Sequence, residues 1–211
     1  FCSFTSLVLT TGAETLLTLL HIVITIITGY LTLAVVYYPL IALFGRVNPA
    51  RLYSKALPMM LTAFSTVSSS ATIPDSMSAA KRCGVSPKVY SLAIPLGATI
   101  NKNALCIFVT ASSLFLCRIN GVEISASAMV FLIFFVLMSV IGAATVPGAG
   151  IITLSVILSQ LGCPTESIGL MMGVIPIFDM VGTPVSCLGT LSSTFLTASE
   201  AHMVDLGAYN R

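Results

Sequence analysis

A lysine and two asparagines interrupt an apolar stretch near the middle of the chain. The segment PLGATINKNAL, residues 95–105, has Asn101, Lys102 and Asn103 at its polar centre. The flanking sequences VYSLAI and CIFVTASSLFLC are apolar enough for the interior of a bilayer. A charged side chain at the bilayer centre costs about 2.5–3.5 kcal/mol on insertion scales. We therefore expect this triplet to face a water-filled cavity or a polar partner inside the protein.

Two other apolar segments are broken by sequences that expose the main chain. The sequence STVSSSATIPDS places Ser68–Ser70 in the middle of residues 56–80, and VPGAG interrupts residues 127–162. Broken backbone at membrane depth is stable only where it is buried in protein or lines a cavity, and its N–H groups can bind a carboxylate. Asp179 is a lone carboxylate deep in the last apolar segment, which favours a functional role over a structural one.

The composition is that of an integral membrane protein. Of 211 residues, 56% are hydrophobic and only 8% are charged, and the mean hydropathy is +1.04. A soluble domain carries about a quarter charged residues. The net charge of +2, without basic runs, argues against nucleic-acid binding. The six cysteines are scattered without C-x-x-C spacing, which predicts small apolar packing residues rather than metal ligands.

The hydropathy pattern predicts an all-α membrane protein with two segments that enter the bilayer and return. A membrane helix needs about 20 apolar residues. The predicted segments are the end of a transmembrane helix (1–14), a helix (15–45), a re-entrant hairpin (50–86), an unwound helix (88–118), a second re-entrant hairpin (124–164), a helix (166–198) and a cytoplasmic tail (199–211). The chain begins at Phe1 and carries no signal-peptide pattern, so we expect a fragment that lacks an N-terminal part.

The basic residues predict the orientation of these segments. Lys and Arg mark the cytoplasmic side. Basic clusters flank residues 56–80 at both ends, so this segment cannot cross if both ends are cytoplasmic. With 124–164 entering from the other side, every Lys and Arg except Lys102 and Arg118 lies inside. Two opposed hairpins, each followed by a full span, form an inverted repeat, which is typical of a secondary transporter with its site at the midplane.

Four motifs together resemble the dicarboxylate/amino acid:cation symporter family, that is, the glutamate transporters. The first hairpin contains MLTAFSTVSSSATIP, the unwound span PLGATIN, the second hairpin GAATVPGAG and the last span IFDMVGTPVSCLG. They occur in family order and spacing over about residues 1–200. The resemblance implies a transport domain over 15–200 that moves like an elevator against a homotrimeric scaffold. It also implies a plasma-membrane location, an amino acid or dicarboxylate as substrate, and sodium or protons as coupling ion without another cofactor.

The resemblance also implies roles for individual positions. Main chain at the serine run and at the second hairpin tip would hold the α-carboxylate of the substrate. Asp179 would bind the α-amino group, Thr183 would supply a hydroxyl, and Asn101 matches an asparagine of a sodium site. The implied substrate-binding residues are Ser68, Ser69, Ser70, Val146, Pro147, Gly148, Asp179, Thr183 and Ser186.

Several positions depart from the family pattern. The family motif Asn-Met-Asp-Gly-Thr is here Asn101-Lys102-Asn103-Ala104-Leu105, so a cation-binding aspartate has become Asn103. Ser186 replaces a usual asparagine, and Thr190 replaces a second cation-site aspartate. Sodium prefers hard oxygen ligands with negative charge nearby. The departures therefore predict altered cation coupling.

The substrate side chain also lacks its usual partner. Family members that carry acidic substrates have an arginine three residues after the substrate aspartate, and that position is Gly182 here. The alternative arginine before the serine run is Val67. Without a bidentate partner for a side-chain carboxylate, neutral or small polar amino acids are favoured. A classical sodium- or proton-coupled glutamate, aspartate or dicarboxylate symporter is the alternative.

Three interpretations of Lys102 follow. Its ammonium replaces sodium beside Asn101 and Asn103, or it pairs with Asp179 and carries protons. In the third it extends to water, and the protein is a degenerate member that does not transport. A different function class is a membrane-embedded enzyme with a serine of the 68–70 run as nucleophile. That class lacks a suitably placed general base, so we expect no enzyme activity.

Overall fold

The structure, a computed structural model, describes residues 2–143 and 148–210, with side chains from residue 19 onward. The described chain is helical apart from short connections, and an isolated bridge joins Val85 to Val204. The helices are α1 (Cys2–Phe44), α2 (Pro49–Thr66), α3 (Ile73–Arg82), α4 (Pro87–Ile100), α5 (Asn103–Ile119), α6 (Ala126–Gly142), α7 (Ala149–Gln160), a 3-10 helix (Thr165–Leu170), α8 (Ile175–Glu200) and α9 (Leu206–Asn210).

Three stretches are long and apolar enough to cross a membrane. They are Leu19–Phe44, Pro87–Ile119 and Ile175–Glu200. The predicted all-α membrane class is therefore confirmed. The middle stretch consists of α4 and α5, which are separated at Asn101 and Lys102, the position where the sequence predicted an unwound helix.

The N-terminal segment differs from the predicted boundaries. Residues 1–14 and 15–45 were expected to be two helices, whereas α1 runs without a break from Cys2 to Phe44. Gly12 is the only residue at the expected junction that disfavours a helix, and a single glycine costs about 1 kcal/mol in a helix interior. Without a proline beside it, that cost does not end the helix.

The described chain forms two compact units. One comprises Phe1–Gly29 and Leu105–Asp179, and the other comprises Tyr30–Ala104 and Met180–Arg211. In the first unit, α6 packs on α7 and α7 on the 3-10 helix. The aromatic rings of Phe108 and Phe178 lie 5.5 Å apart in its core.

In the second unit, α2 and α3 pack against each other. Their apolar faces form one buried cluster with residues of α8, including Met59, Ala80, Leu188 and Phe195. Helix α2 ends at Val67, which has a left-handed φ of 51° and donates its N–H to the Ala63 carbonyl over 3.0 Å. The serine run follows directly, so the fold of α2 and α3 positions Ser68–Ser70 at the connection between them.

The C-terminal segment docks on the base of α2 and α3. Lys55 of α2 donates hydrogen bonds to the carbonyls of Arg82, Ala208 and Tyr209 at 2.7, 2.9 and 2.8 Å. Tyr209 is fully buried and donates its hydroxyl to the Asn48 carbonyl over 2.7 Å. The segment expected as a polar tail over 199–211 is therefore largely ordered, because α8 continues to Glu200 and α9 packs through Tyr209.

Candidate functional site

The polar triplet lies at the break between α4 and α5. The Asn101 N–H bonds to the Gly97 carbonyl at 2.8 Å, and the Lys102 N–H bonds to the Ile100 carbonyl at 3.0 Å. Helix α5 then begins at Asn103. Lys102 is 7% exposed, so this lysine is held inside the protein and does not extend freely to solvent.

Asn101 is joined to Thr190 of α8. Its side-chain amide donates to the Thr190 hydroxyl over 3.2 Å, and that hydroxyl donates to the Ser186 carbonyl over 3.3 Å. Thr190 also lies against Gly97, where an added Cβ would come within 3.2 Å of the threonine hydroxyl oxygen. Thr190 therefore fills the space between Gly97 and Asn101.

Asn103 has an equally defined partner. Its amide lies 2.7 Å from the Tyr37 hydroxyl, to which it donates. Tyr37 packs against Gly189 of α8, where an added Cβ would lie 2.8 Å from the ring carbon that bears the hydroxyl. The absence of a side chain at Gly189 thus allows Tyr37 to reach Asn103.

Ser186 completes this polar group. Its hydroxyl accepts a hydrogen bond from the Ala104 N–H at 3.3 Å, one residue after Asn103. Thr183, Ser186 and Thr190 are spaced by three and four residues, so they share one face of α8. Thr183 is half-buried, and Ser186 and Thr190 are 6% and 4% exposed. Thr183 and Ser186 therefore share one helix face with Thr190, and Asn101–Asn103 lie at the adjacent break.

A cavity of about 200 Å³ opens beside the triplet. Its lining combines amides, hydroxyls and two leucines: Tyr37, Leu40, Asn101, Asn103, Gly189, Ser192, Ser193 and Leu196. Among the described residues that line it, none is a carboxylate. Among the residues that the structure describes, no group of three or more His, Cys, Asp and Glu side chains could hold a metal ion. The Asn101 and Asn103 side chains donate through their amide nitrogens, so the oxygens that their amides offer a cation are neutral and not anionic.

The serine run forms a tight turn. The Ser68 carbonyl accepts from the Thr72 N–H at 3.2 Å and from the Thr72 hydroxyl at 2.8 Å. The Ser70 carbonyl accepts from the Ile73 N–H at 3.2 Å. The Ser69 hydroxyl is hydrogen-bonded to the Cys187 thiol of α8. This bond joins the connection between α2 and α3 to the last span.

In the first unit, Asp179 meets the start of α7. The main-chain N–H of Gly148 is hydrogen-bonded to the Asp179 carboxylate. Gly148 has a left-handed φ of 82° and precedes the first residue of α7. The N-terminus of a helix favours negative charge, which is consistent with a carboxylate at this position. Val146 and Pro147, the other predicted tip residues, lie outside the described residues.

Sequence reasoning missed the two tyrosines that pack on α8. Tyr37 contacts Gly189 and Asn103, and Tyr30 lies against Gly182, where an added Cβ would be 3.1 Å from its hydroxyl. Each pair is spaced by seven residues, Tyr30 to Tyr37 and Gly182 to Gly189. This matching spacing of tyrosines and glycines in two apolar segments is the signal that could have revealed the contact.

Comparison with known proteins adds independent information. The model of the sodium:dicarboxylate symporter family matches residues 1–200. Neutral amino acid transporter A of Homo sapiens is 33% identical over 165 residues, which are 78% of this chain and 30% of that protein. Excitatory amino acid transporter 2 of Mus musculus is 31% identical over 172 residues, 79% of this chain and 29% of that protein. An excitatory amino acid transporter of Caenorhabditis elegans is 30% identical over 201 residues, 94% of this chain and 40% of that protein. The chain thus spans 29–40% of the length of these relatives.

Proposed function

Because the chain belongs to the sodium:dicarboxylate symporter family, we propose that it is the substrate-binding part of a secondary active transporter for small amino acids. The family and the relatives are transporters and not enzymes, so the alternative of a serine-nucleophile enzyme has no support. The chain is similar both to a protein named for neutral amino acids and to proteins named for excitatory amino acids. The substrate must therefore be argued from the residues of this chain.

The proposed architecture is an elevator-type transport domain in a homotrimer of the cell membrane, with a cytoplasmic C-terminus. Helix lengths support re-entrant hairpins. Helices α2 and α3 have 18 and 10 residues, and α6 and α7 have 17 and 12 residues. A span needs about 20 apolar residues, so α3 and α7 are too short to cross the bilayer, and α2 and α6 are at the lower limit. Each pair also surrounds one of the broken segments, at Ser68–Ser70 and at VPGAG.

Substrate binding is assigned to groups from both broken segments and from α8. Main chain around Ser68–Ser70 and around the tip of the second hairpin, residues 146–148, binds the α-carboxylate in this proposal. Asp179 binds the α-amino group, and its bond to the Gly148 N–H holds the carboxylate in place before the substrate arrives. Thr183 and Ser186 supply hydroxyls to polar parts of the substrate.

The packing around Gly182 favours a neutral substrate. A Cβ at Gly182 would lie 3.1 Å from the Tyr30 ring and 3.2 Å from the Ala104 methyl carbon. Tyr30 is 2% exposed, so it has little room to move aside. An arginine at this position would not fit, and Val67 before the serine run carries no charge. A substrate side-chain carboxylate would therefore lack a bidentate cation at both positions.

The single observation that carries altered cation coupling is that the two asparagines beside Lys102 are neutral and hydrogen-bonded within the protein. Asn101 is bonded to Thr190 and Asn103 to Tyr37, and none of the described residues that line the cavity beside them is a carboxylate. Lys102, between the two asparagines, is buried. The proposed role of its ammonium is that of a tethered cation, which supplies the positive charge that a bound sodium would otherwise provide.

Uptake by the full-length protein in proteoliposomes tests this function. Radiolabelled serine and glutamate are compared with and without a sodium gradient, for the wild type, Lys102→Met and the control Lys88→Met, which changes an exposed lysine. The expected result is serine uptake that exceeds glutamate uptake, does not depend on sodium, and is lost in Lys102→Met alone.

Different failures separate the parts of the proposal. Absence of uptake of either substrate would contradict transport and leave a non-transporting family member. Sodium-driven glutamate uptake that is unchanged in Lys102→Met would show a classical symporter and overturn both the neutral substrate and the role of Lys102. Uptake driven by a pH gradient would support proton coupling and contradict the role of Lys102 as a tethered cation.

A further inference from the structure

Two buried cysteines lie side by side in the first unit, away from the residues assigned to transport. Cys117 is in the last turn of α5, and Cys163 follows the end of α7. Cys117 is fully buried and Cys163 is 4% exposed. Their thiols are joined by a side-chain hydrogen bond. The two sulfur atoms are thus neighbours, although 46 positions separate them along the chain (163 minus 117).

The backbone at both cysteines is fixed by the same type of helix end. After α5, Gly121 has a φ of 70° and the Val122 N–H bonds to the Cys117 carbonyl at 2.9 Å. After α7, Gly162 has a φ of 68° and the Cys163 N–H bonds to the Leu158 carbonyl at 3.0 Å. A left-handed glycine followed by a bond of this kind closes the last turn of a helix. Each cysteine is therefore one of the two partners in the bond that closes its helix.

A second link holds these two ends together. The Asn120 side-chain amide donates to the Ser167 hydroxyl over 2.8 Å. Asn120 lies three residues after Cys117, and Ser167 lies four residues after Cys163. The approach of the thiols is thus reinforced by an independent polar contact between the same two segments.

We propose that Cys117 and Cys163 are a redox-active pair that closes to a disulfide at the extracellular end of the protein. The extracellular assignment rests on the proposed orientation, in which Arg118, Glu123 and Glu166 belong to outer loops. Disulfides form and persist in oxidising compartments such as the cell exterior. The product ties the end of the unwound span to the end of the second hairpin.

Closure proceeds by exchange with a low-molecular-weight disulfide such as oxidised glutathione. The Cys163 sulfur, as thiolate, attacks one sulfur of that disulfide and releases one small thiol, which gives a mixed disulfide. The Cys117 sulfur then attacks Cys163, and the second small thiol leaves. Two protein thiols lose two electrons and two protons, and the oxidant becomes two thiols. A cavity of about 600 Å³ lined by Leu114, Arg118 and Gly121 opens at the end of α5, beside Cys117 in the chain, although neither cysteine lines it.

Mass spectrometry of the full-length protein in sealed proteoliposomes tests the pair directly. Oxidised glutathione, which does not cross the bilayer, is added outside or enclosed inside, and the remaining thiols are alkylated after acid quenching and denaturation. The expected result is a linked peptide containing Cys117 and Cys163, with the loss of two alkylated thiols, when the oxidant contacts the extracellular end. A thiol reductant should restore both.

Substitution of another cysteine of α5 is the control, and each cysteine of the pair is also replaced in turn. Cys106→Ser, which changes a half-buried cysteine of α5, should keep the linked peptide, whereas Cys117→Ser and Cys163→Ser should lose it. The wild-type digest remains decisive if a serine variant does not fold. Recovery of both cysteines as alkylated, unlinked peptides over the full range of oxidant would overturn the proposal, and so would linkage only from the cytoplasmic side. Neither measurement uses transport, so this inference can fail while the proposed function holds.

Discussion

The side chain of Asn101 donates a hydrogen bond to the hydroxyl of Thr190 over 3.2 Å, and this bond links the break between α4 and α5 to α8. The residues are 89 positions apart in the chain. The family resemblance implies a cation-site aspartate at the position of Thr190. A neutral hydroxyl therefore occupies the position where a negative charge would favour a bound cation.

Restoring that charge should make transport depend on sodium. Thr190→Asp places a carboxylate beside the Asn101 amide and Gly97. A gain of about tenfold in apparent sodium affinity corresponds to only ~1.4 kcal/mol, which one added anionic ligand can supply. The measurement is uptake as a function of sodium concentration at constant ionic strength.

Thr190→Asn is the matched control, since asparagine has nearly the same size as aspartate but carries no charge. It should leave uptake independent of sodium. Equal sodium stimulation in both variants would show that the added volume, and not the carboxylate, is responsible. Sodium independence in Thr190→Asp would instead mean that the Lys102 ammonium prevents a cation from entering.

The contact of Tyr37 with Gly189 predicts a steric effect on stability. In Gly189→Ala, the new methyl group would lie 2.8 Å from the tyrosine ring. Overpacking of a well-packed interior costs typically about 1–3 kcal/mol. We expect a lower melting temperature in detergent and a weakened bond between Tyr37 and Asn103, with reduced uptake.

Gly142→Ala is the control for this change. Gly142 is in the last turn of α6, and an added Cβ there meets no atom within 4 Å. Alanine also favours helix over glycine, so this variant should be neutral or slightly more stable. If both variants melt at the wild-type temperature, Tyr37 moves aside without cost and the contact is not restrictive.

The sequence was sufficient to predict where the apolar segments break. Asn101–Asn103 and Ser68–Ser70 are polar runs within apolar surroundings, and both fall at helix ends in the structure. The long-range partners could not be predicted in the same way. Asn103 meets Tyr37 from a helix 66 residues earlier, and tyrosine in an apolar helix is equally compatible with packing alone. Such pairs depend on how helices pack, which local composition does not specify.

The packing of the C-terminal segment could not be predicted for a related reason. Its composition is mostly polar, and of its large apolar side chains Met203 and Leu206 are exposed whereas Tyr209 is buried. The Tyr209 ring is completely buried, and the carbonyls of Ala208 and Tyr209 accept hydrogen bonds from Lys55. Tyr209 and Lys55 thus help to hold this segment, together with the bridge between Val85 and Val204 and the bond from the Asp205 N–H to the Gly84 carbonyl.

Lys55 should contribute to stability through this docking. In Lys55→Met, the carbonyls of Arg82, Ala208 and Tyr209 lose their hydrogen-bond donor. The Tyr209 ring also loses its cation, because the ammonium lies 5.3 Å from the ring centroid. Hydrogen bonds from charged groups contribute about 1.5–3 kcal/mol each at most, with partial compensation by water. We expect faster proteolytic cleavage after residue 201. Lys88→Met, at an exposed position, should be cleaved at the wild-type rate. Equal cleavage of the two variants would contradict the docking role.

Docking of Tyr209 also predicts a loss of stability at alkaline pH. Burial raises the pKa of Tyr209 to about 12, and the nearby Cys83 thiolate acts in the same direction. The phenol must also remain protonated to donate to the Asn48 carbonyl. In the unfolded chain a tyrosine ionises near pH 10. The folded state therefore binds the proton more tightly, so its stability is constant below about pH 10 and falls as pH rises towards 12.

The melting temperature of the full-length protein between pH 8 and pH 11 checks this dependence. Tyr209→Phe keeps the ring in the pocket beside Phe195, whose centroid lies 5.1 Å away, but removes the proton and the bond to Asn48. The variant should be less stable than the wild type at pH 8, by about 1 kcal/mol for one hydrogen bond. Above pH 10 the two curves should converge, because the wild type alone loses stability through this group. Parallel curves over the whole range would show that Tyr209 does not cause the alkaline loss.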